Sequence, residues 1–217
     1  MCKLERGSGK MKVQAVVFDV GETLIDETRS WGAWADALNI PRFTLFGVLG
    51  SVIAQGKHHR EALRMFADEP TLERLRPIYH FDTADLYPDV LPCLNQLKAQ
   101  KMLVGIAGNQ PQKAESLLQQ MDWSIDLIAS SDTWGVEKPS SAFFERIGLE
   151  LNLPLEEIAY VGDRLDNDVL PALEAGMVSM FLKRGPWGYW HAQNPEGERA
   201  HIRLDSLESL SERLFLL

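Results

Sequence analysis

The segment VVFDVGETLID, residues 16–26, joins a short apolar run to a polar loop, and Asp19 stands where the two meet. Apolar and β-branched residues in a run of this length predict a buried β-strand, and glycine and acidic residues after it predict a loop. An acid that closes a strand is often only a turn residue. The segment therefore leaves two alternatives open for Asp19, a reactive carboxylate or a structural one.

Four further apolar runs follow in the chain, and helical patterns separate them. The five runs are VQAVVFDV (13–20), KMLVGIAGN (101–109), SIDLIAS (124–130), EIAYVGD (157–163) and MVSMFLKRG (177–185). Short strands that alternate with helices are typical of a parallel sheet covered by helices on both faces. The sequence thus predicts an α/β protein, with a three-layer α/β/α Rossmann-like core and a small α-helical cap.

The cap is predicted from the long interval between the first two runs, which has no strong strand signal and has helical spacing over residues 30–38, 45–67 and 71–80. Breaks are expected at Pro41, Pro70 and Pro77. We assign residues 27–86 to the helical cap, residues 11–26 and 87–217 to the core, and residues 1–10 to a flexible extension. After the last strand, the aromatic segment 184–193 is expected to pack against the final helix, with covering the site or forming a contact as the alternatives.

The net charge, the cysteine content and the lengths of the apolar runs argue against several classes of function. The 217 residues are 45% hydrophobic and 24% charged, with a net charge of −9 and a pI near 5.1. This charge argues against binding to nucleic acid, which needs clustered basic side chains. The chain has only two cysteines, Cys2 and Cys93, and no apolar run long enough for a signal or a membrane span. We expect a cytoplasmic protein with no disulfide framework and no membrane contact.

The ends of the predicted strands carry the candidate functional residues. In an open parallel sheet, ligands bind outside the carboxyl ends of the strands. These ends carry Asp19, Gly108 and Asn109, Asp132 in the following loop, and Asp163. The sequence therefore predicts a site with several acids at one edge of the sheet.

Three segments together resemble a known family. They are FDVGETL (18–24), GVEKPSSAFFERI (135–147) and YVGDRLDNDVLPALEAGM (160–177). In order and spacing they resemble the haloacid dehalogenase (HAD) superfamily of hydrolases, most closely the members with a helical cap inserted after the first motif. The last segment is the most specific, because GD, ND and AGM rarely occur together at this spacing by chance.

The resemblance implies a role for each matched residue. Asp19 would be the nucleophile that forms an aspartyl-phosphate, and Lys138 would supply a fixed positive charge. Mg²⁺ would bind to Asp19, Asp163, the main-chain carbonyl of Gly21 and, through water or hydrogen bonds, Asp168. A charged metal and a lysine are needed because a carboxylate repels a phosphate dianion. The alternative for the acids of the last motif is simple capping of the next helix.

Two positions depart from the family pattern. Family phosphatases usually have an aspartate two residues after the nucleophile as general acid, and this chain has Gly21 there. Loss of a general acid typically lowers the rate about 10²- to 10⁴-fold, so activity is expected to be weakened, with Glu22 as one possible substitute. Gly108 stands where the family has Ser or Thr, so the anion would be held by the backbone amides of Gly108 and Asn109 and by the Asn109 side chain.

These residues predict a Mg²⁺-dependent hydrolase, a phosphatase acting on a small anionic substrate, either a phosphate ester or an acyl phosphate. A dehalogenase or a phosphonate-cleaving enzyme is one alternative. A phosphonate-cleaving enzyme would need Lys57, the only lysine in the predicted cap, to form a Schiff base with the substrate. The other alternative is a binding protein that keeps the fold and has lost catalysis, as Gly21 and Gly108 would suggest. The sequence leaves the substrate and the oligomeric state open.

Overall fold

The computed structural model describes residues 13–216, and a six-stranded sheet lies at its centre. The strands are β1 Ala15–Phe18, β2 Leu103–Gly108, β3 Leu127–Ser130, β4 Ile158–Gly162, β5 Val178–Leu182 and β6 Ile202–Leu204. Their spatial order is β3-β2-β1-β4-β5-β6, and every neighbouring pair is parallel. The strand that ends at Asp19 therefore lies in the middle of the sheet.

Both faces of the sheet are buried, as the apolar runs predict. In β1, Val16 and Phe18 belong to one hydrophobic cluster, and Ala15 and Val17 belong to the cluster on the opposite face. Successive side chains of a strand point to opposite faces, so an uninterrupted apolar run is needed when helices cover both. The three-layer α/β/α arrangement predicted from the sequence is confirmed.

Four helices are inserted between β1 and the helix that immediately precedes β2. They are α1 Thr28–Ala37, α2 Arg42–Ala54, α3 Glu61–Arg64 and α4 Glu69–Leu75. Pro41 immediately precedes α2 and Pro70 lies in the first turn of α4, positions where the missing amide hydrogen costs no helical hydrogen bond. The sequence predicted one continuous helical pattern over residues 45–67, and this was wrong: the helix ends at Ala54, and Gly56 adopts a φ of +67°.

The remaining helices connect and cover the strands. They are α5 Val90–Ala99, α6 Gln112–Gln119, α7 Ser131–Trp134, α8 Ser141–Leu151, α9 Leu170–Glu174, α10 Gly185–His191 and α11 Leu210–Leu214. A single π-helical turn, Leu165–Val169, precedes α9. Within residues 13–216 there are also five short 3₁₀ turns, at Arg76–Ile78, Thr83–Asp85, Leu155–Glu157, Pro195–Arg199 and Leu207–Ser209.

The strand prediction was correct for five strands and missed the sixth. β6 has only three residues, in the sequence HIRLD, which is too short for a periodic pattern to be recognised. The helices inserted after the first strand agree with the predicted cap, and the ranges 27–86, 11–26 and 87–217 stay predictions as domain boundaries. The flexible extension predicted for residues 1–10 lies outside the described residues.

The aromatic segment 184–193 packs differently from the prediction. Residues Gly185–His191 form α10, and Trp187 is buried against Leu49, Val52 and Ile53 of α2 rather than against the final helix. Trp187 also stacks on the guanidinium of Arg164, 4.0 Å from the ring centroid. This segment therefore connects the inserted helices to the loop after β4.

Across residues 13–216, no individual helix has the length and apolar character needed to cross a membrane. Only α1 and α2 taken together pass the length and composition test, and they are bent by 115° relative to each other.

Candidate active site

Three adjacent strands bring the candidate site together. Phe18 of β1 pairs with Val161 of β4 and with Ile106 of β2, so the residues after these strands meet at one edge. The chain places Asp19 and Asp163 immediately beyond β1 and β4 and Gly108 at the end of β2. This is the carboxyl edge of a parallel sheet, where the sequence predicted the site.

Lys138 bridges two of the acids. Its Nζ lies 2.7 Å from Oδ1 of Asp19 and 2.5 Å from Oδ1 of Asp168, and its side chain is 1% exposed. Burial by itself would lower the pKa of Lys138, but the charges of Asp168 and Asp19 raise it well above the usual value. The two carboxylates therefore favour the charged form of Lys138.

Asp168 is fully buried in the π-helical turn after β4. Its Oδ2 accepts a hydrogen bond from the Arg164 amide at 3.0 Å. A Cβ atom on Gly162 would lie 2.4 Å from this carboxylate, so only glycine fits at the end of β4. Burial raises the pKa of Asp168 to about 6, and the charge of Lys138 opposes that rise. The turn and Gly162 together fix Asp168 against Lys138.

Gly108 and Asn109 lie against the same two residues. A Cβ atom on Gly108 would come within 2.5 Å of Oδ1 of Asp19, so the carboxylate occupies the volume that a side chain would need. The Asn109 amide forms two hydrogen bonds of 2.8 Å with the main chain of Lys138, one from Nδ2 to its carbonyl and one from its amide to Oδ1. The side chain of Asn109 thus holds Lys138 in place.

Three carboxylates form a candidate metal centre. Oxygen atoms of Asp19, Asp163 and Asp168 all lie within 4.8 Å of one another, and all three residues are buried. Oδ2 of Asp163 is buried without a hydrogen-bond partner among the described residues. Burial, followed by the charges of Asp168 and Asp19, raises the pKa of Asp163 well above its usual value. A hard divalent cation fits these observations, because it would provide both the missing partner and the missing positive charge.

Two glutamates lie beside the loop after β1. Glu22 has a φ of +54°, and its Oε2 accepts a hydrogen bond of 2.6 Å from the Tyr87 hydroxyl. Glu27 lies just before α1, and its Oε2 accepts a hydrogen bond of 3.2 Å from Trp31 Nε1. Burial, with the charges of Glu22 and Asp19, raises the pKa of Glu27 to about 7. The carboxyl groups of Glu27 and Asp19 are therefore close enough to interact electrostatically.

Among the inserted residues, Tyr79 also approaches the site. Burial, followed by the charges of Glu27 and Asp19, raises the pKa of the Tyr79 hydroxyl, which donates a hydrogen bond of 3.1 Å to Gln110. Arg42 and Arg64, by contrast, form exposed ion pairs with acids of the inserted helices. These two arginines are therefore already neutralised within the insertion.

A family comparison agrees with this arrangement. The family model described as haloacid dehalogenase-like hydrolase matches residues 13–176. The chain belongs to the haloacid dehalogenase-like hydrolases. The family resemblance predicted from the three sequence motifs is thereby confirmed, and the general class of reaction is hydrolysis.

Individual relatives of this HAD-like hydrolase have different names. The chain is 29% identical over 209 residues to a glyceraldehyde 3-phosphate phosphatase of Methanopyrus kandleri. The alignment covers 85% of this chain and 90% of that protein. A solved structure of a predicted phosphoglycolate phosphatase of Haemophilus somnus has a TM-score of 0.68 at 18% identity, covering 95% of this chain and 99% of the other. The L-2-haloacid dehalogenase of Xanthobacter autotrophicus has a TM-score of 0.67 at 21% identity, with coverages of 92% and 97%. These two structures show the fold alone.

The structure brings most of the predicted site residues of this HAD-like hydrolase together. Asp19, Lys138, Asp163, Asp168 and Gly108 form one cluster, and Asn109 supports it. Their catalytic, metal-binding and substrate-binding roles stay predictions. By contrast, the exposed side chain of Asp132 accepts a hydrogen bond from the first turn of α6.

Sequence reasoning missed three residues near the site, Glu27, Trp31 and Tyr79. All three come from the insertion, where no motif marks them. The spacing of Glu27 and Trp31, four residues apart before and within a helix, was the only available signal that the two side chains interact.

Proposed function

We propose that the protein is a Mg²⁺-dependent phosphatase that hydrolyses a small phosphate ester or acyl phosphate through an aspartyl-phosphate on Asp19. The observation that carries the proposal is the position of Lys138 Nζ, 2.7 Å from Asp19 Oδ1 in a site that is buried from solvent. A fixed cation at this distance offsets the repulsion between the carboxylate and an incoming phosphate, and it acts most strongly where water is excluded.

The reaction would take place in two steps. First, an Asp19 oxygen attacks phosphorus, and the bond from phosphorus to the leaving oxygen breaks. Second, water attacks the same phosphorus, and the bond to Asp19 breaks to release inorganic phosphate. Lys138 orients Asp19 and balances negative charge throughout, and Asn109 keeps Lys138 in position through the main chain.

Mg²⁺ would be held by Asp19, Asp163 and Asp168, with the Gly21 carbonyl as the further ligand that the family resemblance predicts. When bound, it would neutralise the phosphate oxygens and orient them for in-line attack. The support for this metal comes from the oxygen-only donor set and from the Asp163 oxygen that has no partner in the described chain.

The substrate class is proposed from the relatives. The glyceraldehyde 3-phosphate phosphatase of Methanopyrus kandleri aligns with most of both chains, which favours a small phosphorylated metabolite of about that size. Gly21 carries no acid where family phosphatases usually have the general acid, so the need of the leaving oxygen for a proton is the property on which substrates should be compared. A phosphate ester of a small polyol or sugar fragment and an acyl phosphate are therefore the two substrate classes to compare.

The experiment compares p-nitrophenyl phosphate, acetyl phosphate and glycerol phosphate with and without Mg²⁺, in wild type and in Asp19→Asn. We expect Mg²⁺-dependent turnover in wild type and a loss of about 10³-fold or more in Asp19→Asn. Asp166→Asn is the matched control, because the Asp166 side chain is 56% exposed and forms an ion pair with Arg164. Wild-type protein without Asp19-dependent turnover would instead support a binding protein that has lost catalysis.

A phosphonate-cleaving enzyme is less well supported. It would need Lys57 as a Schiff-base lysine, and Lys57 is exposed in the segment between α2 and α3. Schiff-base lysines are usually activated by desolvation. Borohydride treatment with phosphonoacetaldehyde would give a covalent adduct on Lys57 if this alternative were correct.

A further inference from the structure

The side-chain volume that Gly21 leaves empty is filled by another residue. A Cβ atom on Gly21 would lie 2.7 Å from Oε1 of Glu27 and 3.0 Å from its Cδ. The carboxyl group of Glu27 therefore occupies the space into which a side chain at position 21 would extend. Position 21 is two residues beyond Asp19, so this carboxyl group comes from six residues further along the chain to the same loop.

One carboxyl oxygen of Glu27 accepts a hydrogen bond from the protein, and the other does not. Trp31 Nε1 donates to Oε2, and the Trp31 amide donates to the Glu27 carbonyl at 2.9 Å, which fixes the first turn of α1 around this side chain. Over residues 13–216, Oε1 receives no hydrogen bond from protein. A carboxyl group with one anchored and one available oxygen is suited to donate a proton in a defined direction.

Glu22 is the nearest alternative, and its two oxygens are both engaged. Oε2 accepts from the Tyr87 hydroxyl, and Oε1 accepts from the Glu27 amide at 3.1 Å. Its side chain also packs directly against Gly185, where a Cβ atom would lie 2.5 Å away. Glu22 is thereby fixed by the Tyr87 hydroxyl and the Glu27 amide, and it provides a matched control of the same residue type.

We propose that Glu27 is the proton donor to the leaving oxygen in the reaction of Asp19, a proposal that rests on the function proposed above. As the bond between phosphorus and the leaving oxygen breaks, the proton moves from the Glu27 carboxyl group to that oxygen, and the product leaves as a neutral alcohol. The resulting Glu27 carboxylate then takes a proton from the water that attacks the phosphoenzyme. The cycle returns Glu27 to its starting form and needs no other reactant.

This assignment changes the expected substrate range. Without a proton donor, the enzyme would be restricted to leaving groups that are stable as anions, such as phenolates and carboxylates. With Glu27 as donor, alkyl phosphates are also substrates, because an alkoxide is protonated as it leaves. Glycine at position 21 is then part of the site, since it makes room for Glu27.

The test measures the first chemical step alone. With enzyme in excess over substrate, release of p-nitrophenol from p-nitrophenyl phosphate and of glycerol from glycerol phosphate is followed in one turnover, with Mg²⁺ present. The variants are Glu27→Gln, which keeps an acceptor for Trp31, and Glu22→Gln as the control. A third variant, the double substitution Gly21→Asp with Glu27→Ala, returns a carboxyl group to the same volume from another position.

We expect Glu27→Gln to slow glycerol release at least 100-fold and p-nitrophenol release less than fivefold. Glu22→Gln should change both rates by a similar small factor, and the double variant should recover glycerol release to within about tenfold of wild type. Equal effects of Glu27→Gln on both substrates, or no effect on either, would overturn the proposal. The absence of Asp19-dependent release in wild type would instead contradict the proposed function, so the two failures are distinguishable.

Discussion

The side-chain amide of Asn109 forms a reciprocal pair of hydrogen bonds with the main chain of Lys138, each 2.8 Å long. The pair joins the end of β2 to the segment before α8, two parts of the chain that no secondary structure connects directly. It fixes the point from which the Lys138 side chain extends toward Asp19. An amide that appeared from the sequence to be a substrate ligand is thus engaged with the protein's own backbone.

Asn109→Ala should lower kcat for p-nitrophenyl phosphate about 10- to 100-fold while KM changes less than threefold. The reason is that the substitution frees the main chain of Lys138 without removing a substrate contact. Steady-state kinetics measure both constants, and Gln110→Ala is the control in the same loop. A large increase in KM with unchanged kcat would show that Asn109 binds substrate directly, as the sequence predicted.

Asp163→Asn should have opposite effects on the metal-free and the metal-bound protein. In EDTA we expect Tm to rise by about 2 to 4 °C, because the variant removes a buried carboxylate whose pKa is raised by burial and by neighbouring acids. The stabilisation that Mg²⁺ gives wild type should disappear in the variant, since a metal ligand is lost. Thermal unfolding with and without Mg²⁺ measures both effects.

The control for this prediction is Asp166→Asn, three residues away in sequence and largely exposed. It should leave Tm in EDTA and the Mg²⁺ response close to wild type. An equal Mg²⁺ response in Asp163→Asn and wild type would contradict the assignment of Asp163 to the metal.

Arg184 and Asp89 form a buried ion pair that should contribute strongly to stability. Arg184 also donates to the Thr23 carbonyl at 2.8 Å and lies over the Tyr87 ring, and Asp89 accepts from the Leu207 amide at 2.9 Å. Arg184→Met leaves the Asp89 charge buried and unpaired, so we expect a loss of about 3 to 5 kcal/mol in the free energy of unfolding.

The double variant Arg184→Met with Asp89→Asn should recover about 2 kcal/mol of that loss, because the remaining buried group is neutral. Urea unfolding of wild type, both single variants and the double variant gives the coupling free energy. Asp36→Asn, which breaks the exposed ion pair with Arg42, should give no measurable change. Additive effects of Arg184→Met and Asp89→Asn would contradict a coupled pair.

His59 should make the insertion sensitive to acid. Burial, followed by the charge of His58, lowers the pKa of His59 to about 3, and its ring packs edge-on against Trp31. Since the folded state binds this proton less readily than the unfolded chain, the contribution of His59 is present above about pH 6.5 and is lost as pH falls toward 3. We expect wild type to lose about 2 kcal/mol more than His59→Gln between pH 7 and pH 5.

The measurement is the free energy of unfolding at each pH for wild type and His59→Gln. His80→Gln is the control, because the His80 side chain is 52% exposed. Parallel pH profiles for wild type and His59→Gln would show that His59 is solvated in the folded protein.

The sequence predicted the parts of the fold that depend on local patterns. Five apolar runs predicted five strands of a parallel sheet, and the motifs around Asp19, Lys138 and Asp163 predicted residues that do meet at one edge. Both predictions succeed because strand periodicity and the convergence of parallel strands follow from backbone geometry alone. The short strand Ile202–Leu204 and the break after Ala54 were missed, since neither has a pattern long enough to recognise.

Tertiary structure decided which side chains share a volume. The sequence determined that the chain is an α/β protein of this family and that Gly21 carries no acid. It could not determine that Glu27 fills the space beside Gly21, that Asn109 binds the backbone of Lys138, or that Trp187 contacts the inserted helices. These relationships join segments whose distance in space depends on how the inserted helices pack on the sheet, and packing depends on shape complementarity that no local pattern encodes.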